Sequence, residues 1–168
     1  YISTRDTSAN PLRVTSAQAI KKGLAPDKGL YMPETIPTIP EGFIDELIPL
    51  SYEKRACRVL SIFLDDYDKD KLLNDCTEAY SESRFPGGAA PIKDIGDNLY
   101  SLELWHGPTC AFKDMALQIM PRLLSSALTM TGEKRRAHIL VATSGDTGKA
   151  ALEGYRDVDG VDITVFFW

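Results

Sequence analysis

Apolar positions recur at helical spacing through the first half of the chain and in strand-like runs through the second. From Thr15 to Gly23 the pattern predicts a short helix, capped by Ser16 and closed by Gly23. Pro26, Pro33, Pro37 and Pro40 then break the chain, so residues 26–40 read as extended loop. Between Ser51 and Leu64, the residues Ala56, Val59, Leu60, Phe63 and Leu64 share one helical face. From Asp68 to Ser81 a second helix carries Leu72, Leu73, Cys76 and Tyr80 as its apolar stripe. The two stripes are expected to cover each other.

The character changes near residues 85–98. Phe85-Pro86-Gly87-Gly88-Ala89-Ala90-Pro91 is rich in breakers and reads as a junction, either flexing or fixed. Leu99 to Trp105 alternates, as a strand with one covered face does. A turn at His106–Thr109 leads into a helix over 112–128, where Pro121 predicts a kink or break. Ala137 to Thr143 is a nearly continuous apolar run, the mark of a fully buried parallel strand. A helix from Thr147 to Arg156 and a strand from Val161 to Phe167 complete a βαβ unit with a right-handed crossover.

These elements predict an α/β protein. A small, mostly helical domain spans 1–90, and 91–168 forms the start of a parallel-sheet core. So few strands leave long unpaired edges. Together with Tyr rather than Met at position 1, this makes the 168 residues the expected front part of a longer protein.

Composition narrows the function classes. The chain is 43% hydrophobic and 26% charged, which fits a globular protein with a core. Its net charge of −5 disfavours a broad grip on nucleic acid. No apolar run approaches the roughly 20 residues a membrane span needs, and no signal peptide is readable. Cys57, Cys76 and Cys110 match no metal-ligand spacing and read as reduced thiols of a cytoplasmic protein. His106 and His138 are too few for a histidine-based metal site, so no metal is expected.

Two motifs carry chemistry. Ser144-Gly145-Asp146-Thr147-Gly148 lies between a strand and a helix. A helix start presents unpaired N–H groups, and glycines let backbone approach an anion. The hydroxyls of Thr143, Ser144 and Thr147 add donors, so the loop suits a carboxylate or phosphate. It lacks the spacing of a Walker loop or a dinucleotide fingerprint. The alternative is a plain capped turn with Asp146 as the cap. In the second motif, His106-Gly107-Pro108-Thr109-Cys110-Ala111-Phe112-Lys113-Asp114, the lysine falls at a predicted helix start. The helix dipole and the apolar neighbours Ala111, Phe112 and Met115 would, on burial, favour a neutral, nucleophilic amine able to form a Schiff base. Asp114 pulls the other way. The alternative is a solvated lysine in a first turn.

The 106–114 motif, followed by Ala142-Thr-Ser-Gly-Asp-Thr-Gly148, resembles the threonine synthase family. The opening Tyr1-Ile-Ser-Thr-Arg-Asp6 and the stretch Gly23-Leu-Ala-Pro-Asp-Lys-Gly-Leu-Tyr-Met-Pro-Glu34 resemble it too. The resemblance implies a fold type II enzyme dependent on pyridoxal 5'-phosphate. Such enzymes turn O-phospho-L-homoserine and water into L-threonine and phosphate. By matching position, Lys113 would hold the cofactor and act as acid and base. Phe112 and Asp114 would set its surroundings. Asp146, where many relatives carry Asn, would approach the cofactor's 3′-oxygen. Thr143, Ser144, Gly145, Thr147 and Gly148 would face the substrate carboxylate. The family's phosphate cup and its partner for the pyridine nitrogen lie further along the chain than residue 168, so this stretch alone is expected to be inactive. The resemblance leaves monomer and homodimer equally open.

Other readings are a related phospho-lyase that releases a keto acid, and a catalytically dead binding module. An unrelated nucleotide binder has only the βαβ unit in its favour.

Overall fold

The computed structural model describes residues 1–167. A two-residue strand, β1 (Ile2–Ser3), leads to helix α1 (Ser16–Lys22), whose start is a capping box. Thr15 accepts the Gln18 N–H at 3.2 Å, and the Gln18 side chain accepts the Thr15 N–H at 3.1 Å. The cap is therefore Thr15, one residue before the expected Ser16. Ser16 instead turns inward and donates its hydroxyl to Asp66. Gly23 ends the helix at φ +70°, a conformation that costs a side chain strain. Within the proline-rich stretch, β2 (Tyr31–Met32) pairs antiparallel with β1.

Helix α2 (Phe43–Leu47) precedes the helical pair α3 (Tyr52–Phe63) and α4 (Lys69–Ala79). These two do cover each other, through Cys57, Leu64, Leu72, Cys76 and Ala79. Val59 and Phe63, expected on the covered face, are exposed. The seam is a narrow line through Cys57, Leu60 and Leu64, so residues at its flank stay in solvent. Asp68 caps α4 by accepting the Lys71 N–H at 2.8 Å. Tyr67 donates its hydroxyl to the Leu123 carbonyl at 2.9 Å and ties the pair to the second half of the chain. Burial, with help from Asp66 and Asp75, pushes the Tyr67 phenol up. Phe85 is buried beside Tyr80, so the junction that follows is anchored at its start.

Strands β3 (Ile92–Gly96) and β4 (Leu99–Leu102) form an antiparallel hairpin through Asp97 and Asn98, both at positive φ. The sequence pattern shows only the second strand, and its expected covered face is not covered. Tyr100 is 63% exposed and Leu102 is 55% exposed, as alternation without a facing layer leaves them.

The helix expected over 112–128, with a kink or break at Pro121, is broken into two, α5 (Asp114–Leu117) and α6 (Met120–Met130). Pro121 sits in the first turn of α6. Its missing N–H would have bonded the Leu117 carbonyl, so the ladder breaks there. Strand β5 (Ala137–Ala142), helix α7 (Asp146–Tyr155) and strand β6 (Val161–Phe166) form the βαβ unit, with β5 and β6 parallel from Ala137↔Val161 to Ala142↔Phe166. β5 is not fully buried. Ile139 and Val141 join Leu124, Leu128, Ala151, Tyr155 and Val161 in a core, while Leu140 points outward at 69% exposure. Helices lie over only one face of this pair, so half of a nearly continuous apolar run has no cover.

Candidate functional site

The site begins at the turn that follows β4. Gly107 to Lys113 advances by successive tight turns, with the Cys110 N–H bonding the Gly107 carbonyl and the Asp114 N–H bonding the Ala111 carbonyl, each at 3.0 Å. Cys110 holds φ at +58°, unusual for a residue with a side chain. Lys113 occupies the cap position of α5, as the sequence places it, but α5 is a single turn. The dipole argument for an uncharged amine therefore loses most of its force, since a macrodipole builds over several turns.

Lys113 is half-buried, and its Nζ lies over the Phe112 ring at 4.6 Å from the centroid. Phe112 itself is largely exposed. Among the described residues no carboxylate pairs with Lys113. Asp114, expected to set the surroundings of that amine, turns away from it. Its fully buried carboxylate accepts the Thr109 N–H at 2.9 Å and the Thr109 hydroxyl at 2.7 Å.

Thr143 leaves the end of β5, with its N–H still bonded to the Phe166 carbonyl at 3.0 Å. Its hydroxyl accepts the Gly145 N–H at 3.2 Å, so it shapes the loop from within. Ser144, Gly145, Asp146 and Thr147 are exposed. The helix cap is Gly145, not Asp146, and no side chain satisfies the first-turn N–H groups of α7. The Asp146 and Thr147 N–H groups remain open to an anion, while the Gly148 N–H bonds the Gly145 carbonyl at 3.1 Å. Gly148 is buried because a Cβ there would stand 2.5 Å from Thr143 Cγ2 and 2.9 Å from Val165 Cγ1. The glycine lets the first turn of α7 settle on β6.

The two motifs thus sit at the starts of two neighbouring helices. α5 and α7 meet where Gly154 faces the Leu117 carbonyl, which a Cβ would approach to 2.0 Å. No hydrogen bond or ion pair among the described residues joins Lys113 to the 143–148 loop. A cavity of about 600 Å³ runs between the Pro108–Cys110 turn and the Lys149, Leu152 and Arg156 face of α7. Another cleft of about 540 Å³, near Arg13, Glu34 and Asp65, contains none of the expected site residues. Among the described residues no group of three His, Cys, Asp or Glu side chains could hold a metal, and no helix is long and apolar enough to cross a membrane.

Sequence reasoning missed two parts of this arrangement. The Thr109–Asp114 bond leaves no spacing signature. Gly154 leaves only a weak one: a lone glycine inside a helical pattern costs helix stability and can mark a packing site.

The residues present fit a pyridoxal phosphate site on three observations. Lys113 offers an amine with no competing carboxylate, a glycine–hydroxyl loop offers open donors, and both lie where a loop enters a helix.

Residues 1–80 match the family described as the threonine synthase N terminus. Over 99% of its length the chain is 38% identical to a threonine synthase of Schizosaccharomyces pombe, covering 33% of that protein. Over 98% it is 40% identical to one of Pseudomonas aeruginosa, covering 34%. The crystal structure of a pyridoxal phosphate-bound threonine synthase from Brucella melitensis superposes with a TM-score of 0.83 at 37% identity, over 92% of this chain and 33% of that one. The chain therefore spans about a third of the length of the relatives it matches.

Proposed function

We propose, from the similarity of this chain in sequence and fold to about a third of the length of threonine synthases, that Lys113 is the pyridoxal phosphate lysine of a carbon–oxygen lyase that makes L-threonine and phosphate from O-phospho-L-homoserine and water. The observation that carries this reading is the Lys113 amine itself, half-buried on a turn with no carboxylate partner among the described residues. When bound, pyridoxal phosphate supplies an aldehyde for an amine to join and an aromatic sink for electrons leaving the substrate carbons.

The rest falls to the chain. Lys113 Nζ holds the cofactor first, then takes a proton from one substrate carbon and returns it to another. Phe112 packs beside that amine. The open N–H groups of Asp146 and Thr147, with the hydroxyls of Ser144 and Thr147, bind the substrate carboxylate, Gly145 and Gly148 shape the backbone around it, and Thr143 braces that loop. Asp146 lies beside the same donors. By matching position, its side chain would stand near the cofactor's 3′-oxygen. The proposal places the protein in the cytoplasm, where Cys57, Cys76 and Cys110 stay reduced, as a monomer or homodimer. Residues 1–168 by themselves are expected to hold the cofactor poorly and to turn over no substrate.

The test uses protein expressed from the complete reading frame and loaded with pyridoxal phosphate. Borohydride treatment and peptide mass mapping should find the reduced adduct at Lys113. Lys113→Ala should lose the adduct and cut threonine release by at least about a thousandfold. An adduct at another lysine, or a Lys113→Ala protein that keeps its rate, would overturn the reading.

A further inference from the structure

We infer that Thr109 and Asp114 are a positioning pair that sets where the Lys113 amine stands, an inference that rests on the reading of Lys113 as the cofactor lysine. A single helical turn such as α5 does not hold itself together, so its start must be fixed from outside. Asp114, the residue after the lysine, is 0% exposed. A carboxylate buried that deeply is tolerated only when its oxygens are bonded. Thr109 bonds both: its N–H donates to Oδ2 at 2.9 Å and its hydroxyl donates to Oδ1 at 2.7 Å. Two bonds from one residue fix the carboxylate in rotation as well as in place.

The two bonds close a ring around Cys110, Ala111, Phe112 and Lys113. Inside that ring Cys110 holds its positive φ of 58°, a strain that persists only under closure from elsewhere. Gly107 makes room, since a Cβ there would stand 2.5 Å from Asp114 Cβ and Oδ2. Neither Thr109 nor Asp114 bonds Nζ. Both act on the lysine through the backbone, so they are positioning residues and not catalytic ones.

The experiment uses the protein from its complete reading frame, stripped of pyridoxal phosphate and then reloaded. The visible absorbance follows joining to Lys113, and circular dichroism of the bound cofactor reports its orientation. Thr109→Ser keeps the hydroxyl bond and should rejoin within about twofold of wild type. Thr109→Val loses it and should rejoin roughly tenfold more slowly, with a weakened or inverted cofactor dichroism. A merely structural role would lower the melting temperature of Thr109→Val and leave both readouts at wild-type values, which overturns the pairing while the Lys113 reading stands. Wild-type protein with no adduct at Lys113 overturns both. The wild type also offers a test free of folding defects. The Thr109 amide should exchange with solvent as slowly as buried core amides, and rapid exchange overturns the pairing.

Discussion

Asp66 serves a helix to which it does not belong. Lying between α3 and α4, it accepts the Ser16 hydroxyl and the Ala17 N–H, the latter at 3.1 Å, at the start of α1. Burial pushes its carboxyl up, but the bonds from Ser16, Thr15 and Ala17 outweigh burial and hold it below the ordinary aspartate value. A carboxyl depressed by folding contributes stability above its unfolded value, near about 4. That contribution disappears as pH falls through the lower folded value. Asp66→Asn should therefore lower the melting temperature at about pH 7, and the gap to wild type should narrow steadily as the pH falls below the ordinary aspartate value. An equal gap at both ends, read by thermal melts across the range, would contradict this. Ser16 shows the same division of labour from the other side. Its type suits a cap, but the chain uses Thr15 for that and sends Ser16 inward.

At the scale of elements, α5 is the shortest helix and is held from three sides. Tyr80 donates to the Met115 carbonyl at 2.9 Å, Arg84 donates to Gln118 at 2.6 Å, and Gly154 brings α7 against Leu117. Gly154→Ala would drive a methyl group into the Leu117 carbonyl and should cost about 1–3 kcal/mol of stability. Denaturant melts can check that value. A neutral result would mean that α5 and α7 are not in close contact. Tyr80→Phe removes one donor and should cost about 1 kcal/mol on the same measurement.

These contacts also mark how far the sequence could be read. Helix bounds, the break near Pro121 and the βαβ unit follow from periodicity and from glycine and proline, which act locally. So do the 143–148 loop and the place of Lys113. β3 was not legible, because Ile92-Lys93-Asp94-Ile95-Gly96 lacks the apolar alternation of its partner. The direction of the Asp114 carboxylate was not legible either, since it depends on a bond back to Thr109. Which strand faces are covered depends on how many layers surround them, and no local pattern carries that number.

Over the whole molecule, apolar surface is unevenly placed. Ile92, Ile95, Leu99, Tyr100, Leu102 and Trp105 are exposed together on and beside the hairpin, and Leu140, Phe166 and Phe167 along the βαβ unit. Patches of that kind mark contact surfaces or aggregation sites. The net charge of −5 opposes association only weakly. Residues 1–168 expressed alone should bind a hydrophobic dye and self-associate as concentration rises. A dye-silent monomer by light scattering would contradict the exposed faces described above.

The parallel register of β5 and β6 divides the βαβ unit into two rims. Thr143 to Gly145 leave from one, while Glu133 to Arg136 and Asp157 to Gly160 enter at the other. Anything grafted at the entering rim, whether a reporter peptide, a fluorophore or an inherited insertion, sits a full strand length from the donors of α7. Natural variation in length and laboratory labels therefore have the same harmless address.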